Sequence, residues 1–95
     1  MGSYVIRLKV LPEDTTTNLD QMLQAVTSAL PGDSRIRAHK VEPIAFGLSA
    51  VIVDVVTPEE EGKSDAVERA IASVPLVNQS EMMGVSRMSS KLPNQ

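Results

Sequence analysis

The chain predicts an α+β domain of four strands and two helices, and three observations lead there. Apolar residues mark four short strand-like stretches, some by alternation at a period of two and one by a nearly continuous run. They recur at three- and four-residue spacing in two others. The two kinds of stretch follow one another as strand, helix, strand, strand, helix, strand. A chain of 95 residues without cysteine has room for one small core, built without disulfides.

The first strand is read at residues 4–11, with Tyr4, Ile6, Leu8 and Val10 on the core face and Val5, Arg7, Lys9 and Leu11 on the other. A polar turn at residues 12–16 leads into a helix whose stripe is Leu19, Met22, Leu23, Val26 and Leu30. Thr17 or Asn18 caps it, with Asp20 or Gln21 three residues on, and Pro31-Gly32 ends it. The second strand, 35–42, is polar and suits a sheet edge. Ile36 and Ala38 share a face, and Val41 breaks the alternation, which predicts a bulge or twist there. The third, 48–56, is apolar at nearly every position except Ser49 and Asp54, as a central strand should be.

A solvated loop at 57–62 precedes the second helix, whose stripe is Ala66, Val67, Ala70, Ile71 and Val74. Asp65 with Glu68 is the expected capping box, and Pro75 the stop. The last strand, 79–88, sets Met83, Val85 and Arg87 opposite Met82, Gly84, Ser86 and Met88. Residues 1–88 then form one domain, and 89–95 a polar, frayed tail. Each helix crosses over between parallel strands and packs on one face of a four-stranded antiparallel sheet. This is a ferredoxin-like βαββαβ sandwich.

Composition narrows the function classes. A net charge of -3 and a pI near 5.0 argue against broad, charge-driven nucleic-acid binding. An RNA-recognition module shares the topology but stacks bases on aromatic side chains, and Tyr4 and Phe46 are the only aromatics here. No apolar run is long enough for a membrane helix. The lack of cysteine fits a reducing compartment, and no export signal is seen, so a cytoplasmic protein is expected.

Catalytic chemistry is thinly supplied. His39 is the one histidine and reads as a solvated edge residue rather than a ligand or base. Glu59, Glu60 and Glu61 cannot easily converge on a cation from consecutive loop positions. Asp54 reads as an acid on the open side of the sheet paired with Lys9 or Arg7, in preference to a buried catalytic carboxylate. Met22, Met82, Met83 and Met88 read as core filler by default, with an adaptable interface on the Met-rich last strand as the alternative. No serine triad, phosphate loop or metal constellation is visible, so neither an enzyme nor a cofactor is expected.

The most informative feature is the run Val41-Glu42-Pro43-Ile44-Ala45-Phe46-Gly47-Leu48, which places the one Phe beside a glycine at a turn into an apolar strand. Phe46 is either a core residue at a strand entry or a knob offered to a partner's pocket. This run, with Leu11-Pro12-Glu13-Asp14 and Thr17-Asn18-Leu19-Asp20-Gln21-Met22, resembles the archaeal elongation factor 1-beta family and the C-terminal domain of its eukaryotic counterparts. The resemblance covers about residues 3–88.

It implies a guanine-nucleotide exchange factor for the translation GTPase elongation factor 1-alpha. In that family the Phe wedges into the GTPase, so Phe46 would be the wedge, with Ile44 and Gly47 shaping the loop. Arg87 aligns with a basic residue that approaches the GTPase's magnesium site, in place of the lysine of eukaryotic members. Ser49 stands where a basic residue commonly follows Phe-Gly-Leu. A small-ligand-binding regulatory domain and a plain protein-interaction module are the alternatives. The oligomeric state is not readable from the sequence.

Overall fold

The structure, a computed structural model, describes residues 2–88, and the predicted tail at 89–95 lies outside them. Along the chain run β1 (Ser3–Pro12), α1 (Leu19–Ala29), β2 (Arg35–Ala45), β3 (Leu48–Pro58), α2 (Lys63–Ala72) and β4 (Val77–Met88). The four strands form one antiparallel sheet in the order β2-β3-β1-β4. Each helix links two parallel strands that flank a third, as in the predicted ferredoxin-like sandwich. The polar β2 lies at an edge and the apolar β3 in the middle, as their compositions required.

The core lies between one sheet face and the helices. Ile6, Leu8 and Val10 of β1 and Val51, Val53 and Val55 of β3 meet Met22 and Val26 of α1 and Val67 and Ile71 of α2. The other face of β3 is also buried. Ile52, 5% exposed, sits in register between Lys9 and Lys40.

Asn18, rather than Thr17, caps α1: its side chain accepts from the Gln21 N–H at 3.0 Å. Leu30 closes that helix in an extended conformation, as the residue before Pro31 prefers. The expected Asp65–Glu68 capping box is not formed. Helix α2 starts earlier, behind Gly62 at φ 84, and no side chain caps it. A glycine accepts that left-handed backbone without a Cβ clash. Asp65 lies instead in the first turn, where its charge complements the helix N-terminus.

The bulge expected at Val41 is displaced. The β2/β3 register shifts between Ile36 and Ala38 and again between Pro43 and Ala45, while Val41 pairs with Val51 undisturbed. Ile36 and Val41 are an odd number of residues apart, so the extra residue at Arg37 brings both onto the helix side. A third shift, between Arg7 and Leu8 in the β1/β4 pairing, changes the faces of β4. Met82 pairs with Leu8, Gly84 with Arg7, and Met83 is the extra residue. Met82 and Val85 therefore share the helix side, contrary to the simple alternation expected. Met22 and Met82 join the core as expected, but Met83 is 50% exposed.

Candidate partner-binding site

The β2–β3 connection is a two-residue hairpin. Ala45 pairs with Leu48 across it, and both central residues have positive φ, 54 for Phe46 and 81 for Gly47. Two positive φ angles are the mark of a type I′ turn, whose twist matches that of the flanking strands. Gly47 meets this demand freely, whereas an L-residue such as Phe meets it at a cost of about 1 kcal/mol.

The Phe46 side chain is 100% exposed, which removes the core reading. Among the described residues nothing covers the ring. Ile44, the extra residue of the second bulge, and Val41 are exposed beside it on β2.

The β1–α1 loop stands against the hairpin. A Cβ on Gly47 would lie 4.0 Å from Thr15 Cγ2. Together the loop and hairpin frame a groove of about 460 Å³, lined by Leu11, Pro12, Asp14, Phe46, Leu48 and Gln79 among others. Asp14 stiffens this loop: one carboxylate oxygen accepts from the Thr16 N–H at 2.9 Å and from the Thr16 hydroxyl at 2.6 Å. These hydrogen bonds hold its carboxyl below the usual carboxylate range.

Arg87 lies at the other end of the sheet. It pairs with Tyr4 near the start of β1, while Leu11 near its end pairs with Gln79. The resemblance assigned Phe46, Ile44, Gly47 and Arg87 to partner binding. The structure brings the first three together and sets Arg87 roughly 25 Å away along the strands. Arg87 is held there by Glu59, with 2.7 Å between Nη2 and Oε2. That partner was hidden in the sequence by the run of glutamates, which read as a solvated loop.

On the helix-free face, Asp54 pairs with Arg7, not Lys9. Arg7 Nε donates to Oδ1 at 2.9 Å and Nη2 to Oδ2 at 3.2 Å, and Arg37 Nη2 lies 3.7 Å from Oδ2. Lys9 reaches Glu42 instead, at 3.5 Å. Asp54 is only 7% exposed. The Arg7 hydrogen bonds, helped by the charges of Arg7 and Arg37, hold its carboxyl below the usual range against the opposing effect of burial. A carboxylate so occupied ties three strands together.

His39 is exposed on the edge strand β2, and Glu60 pairs with Lys63 at 3.8 Å. Among the described residues no three His, Asp or Glu side chains gather where a metal ion would sit. No described helix is long and apolar enough to cross a membrane. What the site offers is therefore shape: a rigid, exposed ring beside a groove, with a basic side chain at the far end.

Comparison with known proteins identifies the family. Residues 5–88 match the model of the EF-1 guanine nucleotide exchange domain. The chain is 37% identical over 90 residues to elongation factor 1-beta of Staphylothermus marinus, covering 94% of this chain and 100% of that protein. It is 36% identical over 89 residues to elongation factor 1-beta of Saccharolobus solfataricus, covering 93% and 98%. The solved C-terminal domain of the MgtC protein from Mycobacterium tuberculosis superposes with a TM-score of 0.52 at 12% identity, over 96% of this chain and 95% of that one. At that identity the likeness is one of fold alone.

Proposed function

This chain belongs to the EF-1 guanine nucleotide exchange domain family, and on that premise we propose that it promotes GDP release from the translation GTPase elongation factor 1-alpha. Exchange in translation elongation follows from family membership. The choice of GTPase and the residue roles are our reading. The observation that carries it is Phe46, fully exposed on a strained hairpin tip. A rigid ring held in solvent at a conformational cost is explained by a partner that buries it.

In this reading Phe46 is the wedge, Gly47 supplies the turn that aims it, and the bulge at Ile44 broadens the apolar contact. Arg87 meets the phosphate and magnesium end of the nucleotide site. The protein forms and breaks no covalent bond. A factor that weakens nucleotide binding must itself bind the nucleotide-free GTPase more tightly by the same free energy. Burial of Phe46 supplies part of that difference. The protein acts in the cytoplasm, on a protein partner, without contacting nucleic acid directly.

A regulatory domain pairing edge to edge around a small ligand is less well supported. Edge β2 carries Pro43, two bulges and several charged side chains, and edge β4 carries two register shifts, all of which oppose strand-to-strand association. A plain interaction module would use the same ring, and the activity separates the two. Release of fluorescent GDP from purified elongation factor 1-alpha is expected to accelerate with this protein. Phe46→Ala should raise the half-saturating concentration about thirtyfold, the equivalent of ~2 kcal/mol at an interface hot spot. Unchanged release at saturating native protein would overturn the exchange reading.

A further inference from the structure

One strand joins the two ends of the proposed surface. Gln79 lines the groove beside Phe46, Arg87 lies at the far end, and both belong to β4. The strand is a sheet edge, and among the described residues no strand pairs with its outer side. From Gln79 to Arg87 it spans about 26 Å at roughly 3.3 Å per residue. A protein interface of ordinary size, about 800 Å² per partner, has that reach.

Exposed apolar side chains are distributed to match. Among the described residues the exposed large hydrophobics are Val41, Ile44 and Phe46, on β2 and its hairpin, and Met83 and Val85, on β4. Met83 is 50% exposed and Val85 45% exposed. The bulge puts them on opposite sides of the strand. Val85 pairs with Ile6 and faces the helix side. Met83 lines a cleft of about 460 Å³ on the other face, together with Arg7, Arg37 and Arg87. An edge with apolar side chains on both flanks suits a body seated edge-on. The bulge interrupts the ladder that a strand from a second copy would need. Methionine, unbranched and polarisable, adapts to such a contact.

We propose, taking the exchange reading as the premise, that the outer edge of β4 is the middle of the surface that seats the GTPase, with Met83 and Val85 as its apolar contacts. The matching partner surface carries an apolar strip between a pocket that accepts the Phe46 ring and an anionic end that meets Arg87. A partner that fills the groove at Gln79 and reaches Arg87 along this edge covers the strand between them.

The test is the double variant Met83→Gln/Val85→Thr, in which side-chain length and β-branching are kept and apolar character is lost. In the GDP-release assay its half-saturating concentration should rise about tenfold with the maximal rate unchanged. In the native complex with nucleotide-free GTPase, the backbone amides of residues 80–86 should gain protection from hydrogen exchange. That second measurement holds even where the variant folds poorly. An unaltered half-saturation with no protection overturns the β4 assignment alone, provided native protein accelerates release and Phe46→Ala raises the half-saturating concentration. Failure of native protein to accelerate release overturns both readings. Self-association of the native protein in sedimentation equilibrium, lost in the double variant, would assign the edge to a second copy and also overturn the assignment.

Discussion

Phe46→Asn should make this protein more stable and less active. The ring is 100% exposed in the free protein, so removing it gives up no burial. Its backbone sits at φ 54, in the left-handed region, where Phe costs about 1 kcal/mol and Asn much less. Asn-Gly is also the favoured pair for a type I′ turn. The expected gain is about 0.5–1 kcal/mol, an increase in Tm of about 4 °C for a domain of this size. Thermal and urea unfolding read the gain, and GDP release reads the loss of the wedge. Phe46→Ala separates the two effects, since it keeps most of the backbone cost while removing the ring. A fall in Tm for Phe46→Asn would refute the strain argument. Release kinetics equal to native would refute the role of the ring.

Two further outcomes concern the framework. The Asp54 carboxyl is held below its usual range in the folded protein. Its contribution is therefore complete above the unfolded value near ~3.9 and is lost as pH falls through the folded value. Asp54→Asn should cost about 1–2 kcal/mol at pH 7, from weakened charge-assisted hydrogen bonds. The gap between variant and native should narrow in acid. Urea titrations at pH 7 and pH 3 check this, and a constant gap would contradict it. For the adjacent methionines, Met82→Gln should cost about 1–2 kcal/mol because Met82 packs on the core, and Met83→Gln alone should stay within ~0.5 kcal/mol. Equal costs in urea unfolding would mean that the bulge is misplaced.

Much of the architecture is legible in the sequence for a simple reason. Period-two and period-3.6 patterns record which side of each element faces the core, and glycine and proline mark where elements stop. Asn18, Pro31 and the apolar run of β3 were readable in this way. The bulges were harder to place. Val41 signalled that one residue too many lay in β2, but the alternation could not say that the excess was taken up at Arg37. The start of α2 was missed because Gly62 caps it through its backbone, which leaves no side-chain signature.

The candidate site divides along the same line. The sequence by itself determined the fold class, the hairpin with Phe46 at its tip and the resemblance carried by the surrounding run, because these depend on local residue order. Only the tertiary structure decided that the Phe46 ring is in solvent, that Asp54 belongs to Arg7, that Glu59 holds Arg87, and that Phe46 and Arg87 stand at opposite ends of the sheet. Exposure and pairing are set by strand register and by what neighbouring elements cover. One inserted residue, as at Met83, changes which side chains reach the core and which are left for a partner.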